Sequence, residues 1–451
     1  MEIDENFKKD FELFLKNPDD NPMHPSDVGR YLRSLHSEDR DLFKSTIVKI
    51  PSDYLGPILL ELPEKLKKVA INLLSHETLA EATSELESDD ATDLVQEVED
   101  MDASKAEEVV SELEKEDRDE INTLRKYSDV QAGSIMQIEV FKASINDSIR
   151  DAITRLALDR EEQKLKNIFQ VFIVDETDIL IASAALSELI TMQFDVKFKE
   201  LIKGREYPEQ RTVLDTEKIS EAVKRFQDYD LTYAPVVNSR GQLVGRITSD
   251  DIYDVIENIA TEQMFNLAGV DDEVEQENIL GEVFQKRAFW LFINLITAIL
   301  ASLVIAQFDD TLKAFIPLAI LMPIVASMGG NATNQTLAVT VRQMTLGEVD
   351  WENAFPAIRK EIILSLFNGF LFALILGATS ILWFRNYKIG LAIGLATIIN
   401  LLVAGTFGAL VPLFLKKFKS DPAVGSTVIL TTLTDVIGFL SFLGIAKILL
   451  L

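Results

Sequence analysis

The spacing of apolar residues changes twice along this chain, and each change announces a different kind of structure. From the start to about residue 130, apolar positions recur every three or four residues, as at Leu59, Leu62, Leu66, Val69, Ala70 and Leu73. That is the period of amphipathic helices. A weak internal repeat lies in this stretch: DATDLVQEV (Asp90–Val98) is echoed about fifteen residues on by KAEEVVSEL (Lys105–Leu113). Tandem short helices of this kind predict a stacked, superhelical array. From about Ser134 to Ile256 the pattern becomes that of strands. VFIVD (Val171–Asp175) and YAPVVNSRGQLVGRIT (Tyr233–Thr248) are β-branched runs, the second broken by the turn Asn238-Ser239-Arg240-Gly241. A helix is expected before that hairpin, over Lys218–Gln227, and another from Ser249. Beyond about Gln285 long apolar runs take over, and five membrane spans are predicted at 288–308, 314–341, 362–384, 389–415 and 422–446.

Two of these spans are poor greasy helices. LMPIVASMGGNATNQTLAVTVR (Leu321–Arg342) carries Pro323 and Gly329-Gly330, which invite a kink or a close backbone approach. It then puts Asn331, Thr333, Asn334, Gln335 and Thr336 at membrane depth. Such groups are tolerated there only where they face protein or a water-filled path. The last span is apolar except for Asp435 near its middle. A carboxylate at the bilayer centre costs about 2.5–3.5 kcal/mol on insertion scales and calls for a compensating role. Two copies of Asp435 facing each other across a two-fold axis would match one divalent cation.

The 451 residues carry a net charge of −28, which argues against nucleic acid and towards cations as counter-ions. Between Glu81 and Glu120 there are 18 acidic residues against 3 basic ones. Asp251, Asp254, Asn258 and Glu262 step by three or four, so they share one helix face, where a nearby divalent cation would relieve their repulsion. No cysteine is present, which excludes disulfides and thiolate metal sites. The histidines, His24, His36 and His76, lie far from the spans, and no constellation for catalysis is found. Met1 to Glu12 is acidic rather than signal-like, so the N-terminal half is expected in the cytosol. That side also takes Lys416, Lys417 and Lys419, as the positive-inside rule asks, while Arg385 and Lys388 fall outside against it.

The hairpin YAPVVNSRGQLVGRITSDDI resembles a cystathionine-β-synthase (CBS) half-motif, with the usual Gly-x-x-Thr-x-x-Asp as Gly245, Thr248 and Asp251. The earlier copy, IFQVFIVDETDILIASAALSEL, lacks the turn glycine and the Thr-x-x-Asp. With PIVASMGGNATNQ (Pro323–Gln335), DPAVGSTVILTTLTDVIGFLSFLGIAK (Asp421–Lys447) and KYSDVQAGSIM (Lys126–Met136), nearly the whole chain resembles the MgtE-type magnesium channel/transporter family.

That resemblance implies an all-α superhelical N-terminal domain (1–133), an α/β CBS-pair domain (134–256), a connecting, plug-type helix (257–285) and a polytopic α-helical membrane domain (286–451). It implies a homodimer in the inner membrane, in contact with lipid, with a pore lined by the second and fifth spans. The family's central magnesium site falls on Asp435, Asn331, Asn334 and Gly329. Closure by cytosolic magnesium would use Asp89, Asp93, Asp230, Asp251, Asp254 and Glu262, and ATP would bind the CBS pair near Thr248 and Asp251. Ile259 and Gln263 stand where the connecting helix often carries acids, Ser220 where a CBS acid is expected, and Thr427 and Thr333 where the spans commonly have Asn and Gly. The pore match is therefore closer than the sensor match. Two rivals stay open: a proton- or sodium-coupled carrier with Asp435 as the coupling acid, and a membrane-anchored CBS nucleotide sensor that transports nothing.

Overall fold

The computed structural model describes residues 5–161, 165, 168–203, 211–268, 280–345, 348–418 and 425–451. These fall into two compact units, Met1–Glu257 and Asn258–Leu451. The middle of the expected connecting helix, 269–279, and the start of the expected fifth span, 422–424, lie outside the described residues.

The first unit opens with short helices: α1 (Glu5–Lys16), α2 (Pro25–Glu38), α3 (Arg40–Ile47), α4 (Ser52–Leu60), α5 (Glu64–Leu73), α6 (His76–Ser84), α7 (Ser88–Met101), α8 (Ala103–Glu112) and α9 (Lys115–Leu124). Single aspartates make two of the corners. Asp39 ends α2 by donating its amide to Leu35 O at 2.7 Å, then starts α3 by accepting from the amides of Asp41 and Leu42, both at 3.0 Å. Asp102 does the same between α7 and α8, the two helices on which the sequence repeat falls. An N-cap of this kind is worth about 1 kcal/mol. The core runs the length of the stack, with Phe14, Phe43, Ile47, Leu55 and Leu79 fully buried.

Two three-stranded sheets follow. The first is β1 (Lys142–Ser144), β2 (Gln170–Val174) and β3 (Leu180–Ala185), with α10 (Ile149–Glu161), α11 (Leu186–Leu189) and α12 (Phe198–Leu201) around it. The second is β4 (Val213–Leu214), β5 (Tyr233–Val237) and β6 (Leu243–Thr248), with α13 (Ile219–Asp228) before the hairpin and α14 (Ser249–Ala268) after it. In both, the first strand pairs parallel and the third antiparallel to the middle one, so the two copies share one topology.

The turn that lacks glycine still forms. Asp178 takes the left-handed conformation (φ 63°) that Gly241 (φ 78°) takes in the other copy, and Asp is among the residues that tolerate it. Asp175 accepts from the amides of Thr177 and Ile179, as Asn238 does from Arg240 and Gln242. The two turns then bond each other, Leu180 N to Gly241 O and Leu243 N to Asp178 O, each at 3.0 Å. Gly245 is needed for a different reason. A Cβ there would lie 2.7 Å from Gln137 O, where the backbone of Gln137 pairs with Arg246.

The second unit contains α15 (Leu280–Ala306), α16 (Asp309–Ala314), α17 (Ile316–Thr345), α18 (Phe355–Phe384), α19 (Tyr387–Lys417) and α20 (Ser426–Leu450). All but α16 are long and apolar enough to cross a membrane, which makes this a multi-pass membrane protein. Pro323 and Gly329-Gly330 lie within one helix, α17, and at Gly329 the expected close approach is realised. Small residues bring helices together as lipid requires. A Cβ at Gly390 would lie 2.6 Å from Gly377 O, and one at Gly405 would meet Ser365.

The packing of α4 against α6 generates a prediction. A Cβ on Gly56 would stand 2.3 Å from the carbonyl oxygen of Ala82, a backbone atom that cannot swing aside. Gly56→Ala should destabilise this part of the chain by about 1–3 kcal/mol. Amide hydrogen exchange across α4 and α6 in the full-length protein should rise accordingly, and unchanged exchange would show that the two helices separate at little cost.

Candidate ion-handling sites

In the first unit the start of α7 points its acids at the second CBS copy. Ser88 is held there: its amide and hydroxyl both donate to the Glu139 carboxylate at 2.8 Å, and it accepts from Ile138 N at 2.9 Å. Beside it Arg246, 5% exposed, donates to Gln137 Oε1 at 2.8 Å and pairs with Glu87 at 3.5 Å. These contacts place Asp89, itself buried, and Asp90 against Asp251 and Asp254 on α14.

Two bases of the acidic run are engaged away from these acids. Of the three bases in the acidic run, Lys105 donates to Ile71 O and Leu74 O at the end of α5, and Arg118 to carbonyls at the end of α8. They serve helix C-termini rather than carboxylates. Burial, then the charge of Asp251, holds the Asp89 carboxyl well above the ordinary carboxylate range. Burial together with Asp251, Asp93 and Glu87 pushes Asp90 up to about 7. Burial also raises Asp251, against the opposing hydrogen bond from Thr248, and raises Asp254.

Of the remaining candidates, Asp93 is exposed, and the charges acting on it are chiefly those of Glu97, Lys67 and Asp129. Asp230 is exposed in the turn after α13, at φ 48°. Glu262 lies in the second unit, one residue before Gln263, whose side chain donates to Thr345 Oγ1 at 2.8 Å at the end of α17. Thr248 donates its hydroxyl to Asp251 at 2.8 Å and its amide at 3.2 Å, so this pair caps α14. A cleft of about 220 Å³ in the first CBS copy is lined by Gln170, Ser183, Glu188 and Arg211 among others, and neither Thr248 nor Asp251 borders it.

In the second unit Asp435 is half-buried near the middle of α20, and Asn331 and Asn334 are exposed on α17, with Asn331 donating to Ser327 Oγ at 3.4 Å. Gly329 faces the other way, into the bundle, against the side chain of Asn400 on α19. Sequence reasoning missed Asp90, Glu139 and Asn400. Asp90 and Glu139 carry no distinguishing pattern. Asn400 does, as the lone side-chain amide between Tyr387 and Lys417.

A multi-pass helical domain that follows a CBS pair defines a class of membrane protein. The chain belongs to the MgtE family of divalent cation transporters. The MgtE family model, a divalent cation transporter, matches residues 322–445; that of the MgtE intracellular N domain matches 23–130, and that of the CBS domain 206–258. The magnesium transporter MgtE of Enterococcus faecalis is 30% identical over 332 residues, 74% of this chain and 72% of that protein. The magnesium transporter MgtE of Bacillus subtilis is 26% identical over 425 residues, 90% of this chain and 93% of that one. Among solved structures, the cytosolic domain of the Mg2+ channel MgtE in complex with ATP is 24% identical, covering 56% of this chain and 96% of its own at a TM-score of 0.48.

The raised carboxyls generate a pH prediction. When α7 and α14 are apart, Asp90 titrates near its ordinary 3.8; together, near 7. A group with a raised pKa contributes stability that is complete below the lower value and lost as pH climbs through the upper one. Without divalent cations, protection of the first unit from protease should therefore weaken between about pH 4 and pH 7. Asp90→Asn should flatten that decline. A decline as steep in Asp90→Asn as in the wild type would remove this face from the titration.

Proposed function

We propose that this chain is a magnesium-selective channel or transporter that acts as a homodimer and is shut by cytosolic magnesium. The observation that carries the reading is the half-buried Asp435 at mid-span in α20, in a chain whose α17 turns Asn331 and Asn334 outward. Polar groups facing outward at membrane depth need protein or a water-filled path beside them. A second copy across a two-fold axis supplies both. Magnesium demands octahedral oxygen coordination and sheds water reluctantly. Two Asp435 carboxylates would hold the hydrated ion by charge, and Asn331, Asn334 and the backbone at Gly329 would supply oxygens. Weak binding at several such sites lets the ion leave again.

Closure is assigned to Asp89, Asp93, Asp230, Asp251, Asp254 and Glu262. Their oxygen chemistry suits a hard cation. Among the described residues no three His, Cys, Asp or Glu side chains converge closely enough to hold a metal. Bridging through the waters that magnesium retains is consistent with that geometry, since one or two carboxylates suffice for it. ATP at Thr248 and Asp251 would have to compete with the cap those residues make on α14.

Two experiments test the reading. Asp435→Asn in proteoliposomes should lower magnesium uptake at least about tenfold while the protein stays folded and membrane-inserted. Uptake at the wild-type level would take Asp435 out of the path. Deleting residues 1–130 should leave a protein that still conducts but no longer closes at high magnesium on the soluble side. Normal inhibition in that variant would place sensing elsewhere.

A further inference from the structure

We infer that Asn400 is a positioning residue for the ion path, a buried amide wedge that holds α17 and α20 in one register; this rests on the pore reading above. The fourth span, α19, is the most enclosed of the five, 44% buried against 6% for the first and 33% for the fifth. Asn400 near its middle is 1% exposed. Its Nδ2 donates to Val325 O on α17 at 2.8 Å. A Cβ at Gly329 on α17 would lie 2.5 Å from that nitrogen, and a Cβ at Gly438 on α20 would lie 2.9 Å from it. The amide thus occupies the space that two glycines leave, one on each helix.

Both contacts fall within a turn of a candidate ion-binding residue. Gly438 is three residues after Asp435, and Gly329 is two before Asn331. The Oδ1 atom is buried and accepts no hydrogen bond among the described residues. An apolar side chain of similar size would avoid that desolvation penalty, so packing alone does not account for an amide here. Its donor to Val325 O is directional and fixes where α17 stands, whereas a leucine could slide.

The consequence is for selectivity. Magnesium requires near-ideal octahedral geometry, while calcium accepts looser and more variable shells. A path whose two lining helices lose their register should admit calcium before it stops passing ions. The test uses full-length protein in liposomes, with magnesium and calcium uptake measured separately for wild type, Asn400→Ala and Asn400→Leu. Asn400→Leu keeps the branched shape with somewhat larger ends and removes the donor, and serves where the alanine variant does not fold. Thr397→Val is the control, since Thr397 is equally buried one turn away but its hydroxyl stays within α19, on Ile393 O. The magnesium-to-calcium uptake ratio should fall about fivefold in the Asn400 variants, as loss of one buried hydrogen bond suggests, and hold in Thr397→Val. An unchanged ratio in Asn400→Leu, or an equal fall in Thr397→Val, overturns the positioning role. Wild-type protein without magnesium preference would instead overturn the pore reading, so the two failures are separable.

Discussion

A carboxylate taken out of water without a cation beside it is unstable as an anion, and both halves of this protein contain such groups. In the first unit they are numerous. Burial raises the proton affinity of Asp89, Asp90 and Asp251, and the charge of Asp251 raises that of Asp89 and Asp90 further. In the membrane unit Asp435 on α20 and Glu361 on α18 are each half-buried. Lys105 and Arg118 are bound to helix-terminal carbonyls that would otherwise be left without donors. Elsewhere in the stack Lys67 pairs with Glu97 and Arg125 with Glu99, while Asp89 and Asp90 face Asp251.

The membrane unit meets a different form of the same constraint. Without water, helices are held by close packing and by the few hydrogen bonds that cross between them. Glycine permits the approach in α18 and α19, through Gly377 and Gly390. Between α17, α19 and α20 the approach is filled by a polar group instead. Thr336 adds a second cross-helix bond, donating to Glu361 Oε2 at 3.2 Å on α18. The apolar faces of α15 and α18 are left largely exposed within the chain, as suits helices that meet lipid.

Much of this was legible in the sequence, and the reasons for the misses are physical. Helical period and apolar run length report burial on one side of an element, so the small helices, the two hairpins and the five spans could all be read. Asp435 was visible because its cost at mid-span is high whatever surrounds it. Asn400 was passed over because the amide-rich second span drew attention as a cluster, while a single amide in an apolar span looks like noise. Its meaning lies in glycines at 329 and 438, far away in sequence. Asp90 and Glu139 were missed for a related reason. Asp90 is one acid among the 18 between Glu81 and Glu120 and Glu139 lies beyond that run, so each is distinguished only by what it faces, and that is a tertiary fact. Asp178 closes its turn without glycine because Asp tolerates a left-handed backbone.

The contacts that dock α7 on the second CBS copy differ in kind from the acids they bring together. Ser88 to Glu139 and Ile138 to Ser88 are directional hydrogen bonds, independent of any added ion. The acids beside them oppose docking to the degree that they are ionised. The balance between these two terms sets whether the helical stack stays on the CBS copy, and a cation or a proton acts on only one of them. A ligand can shift such an equilibrium by no more than its preference for one state. Under the proposed reading, magnesium need not assemble a docked state from nothing. It has only to remove a repulsion from contacts that already specify where α7 belongs, which few and weakly held ions can accomplish.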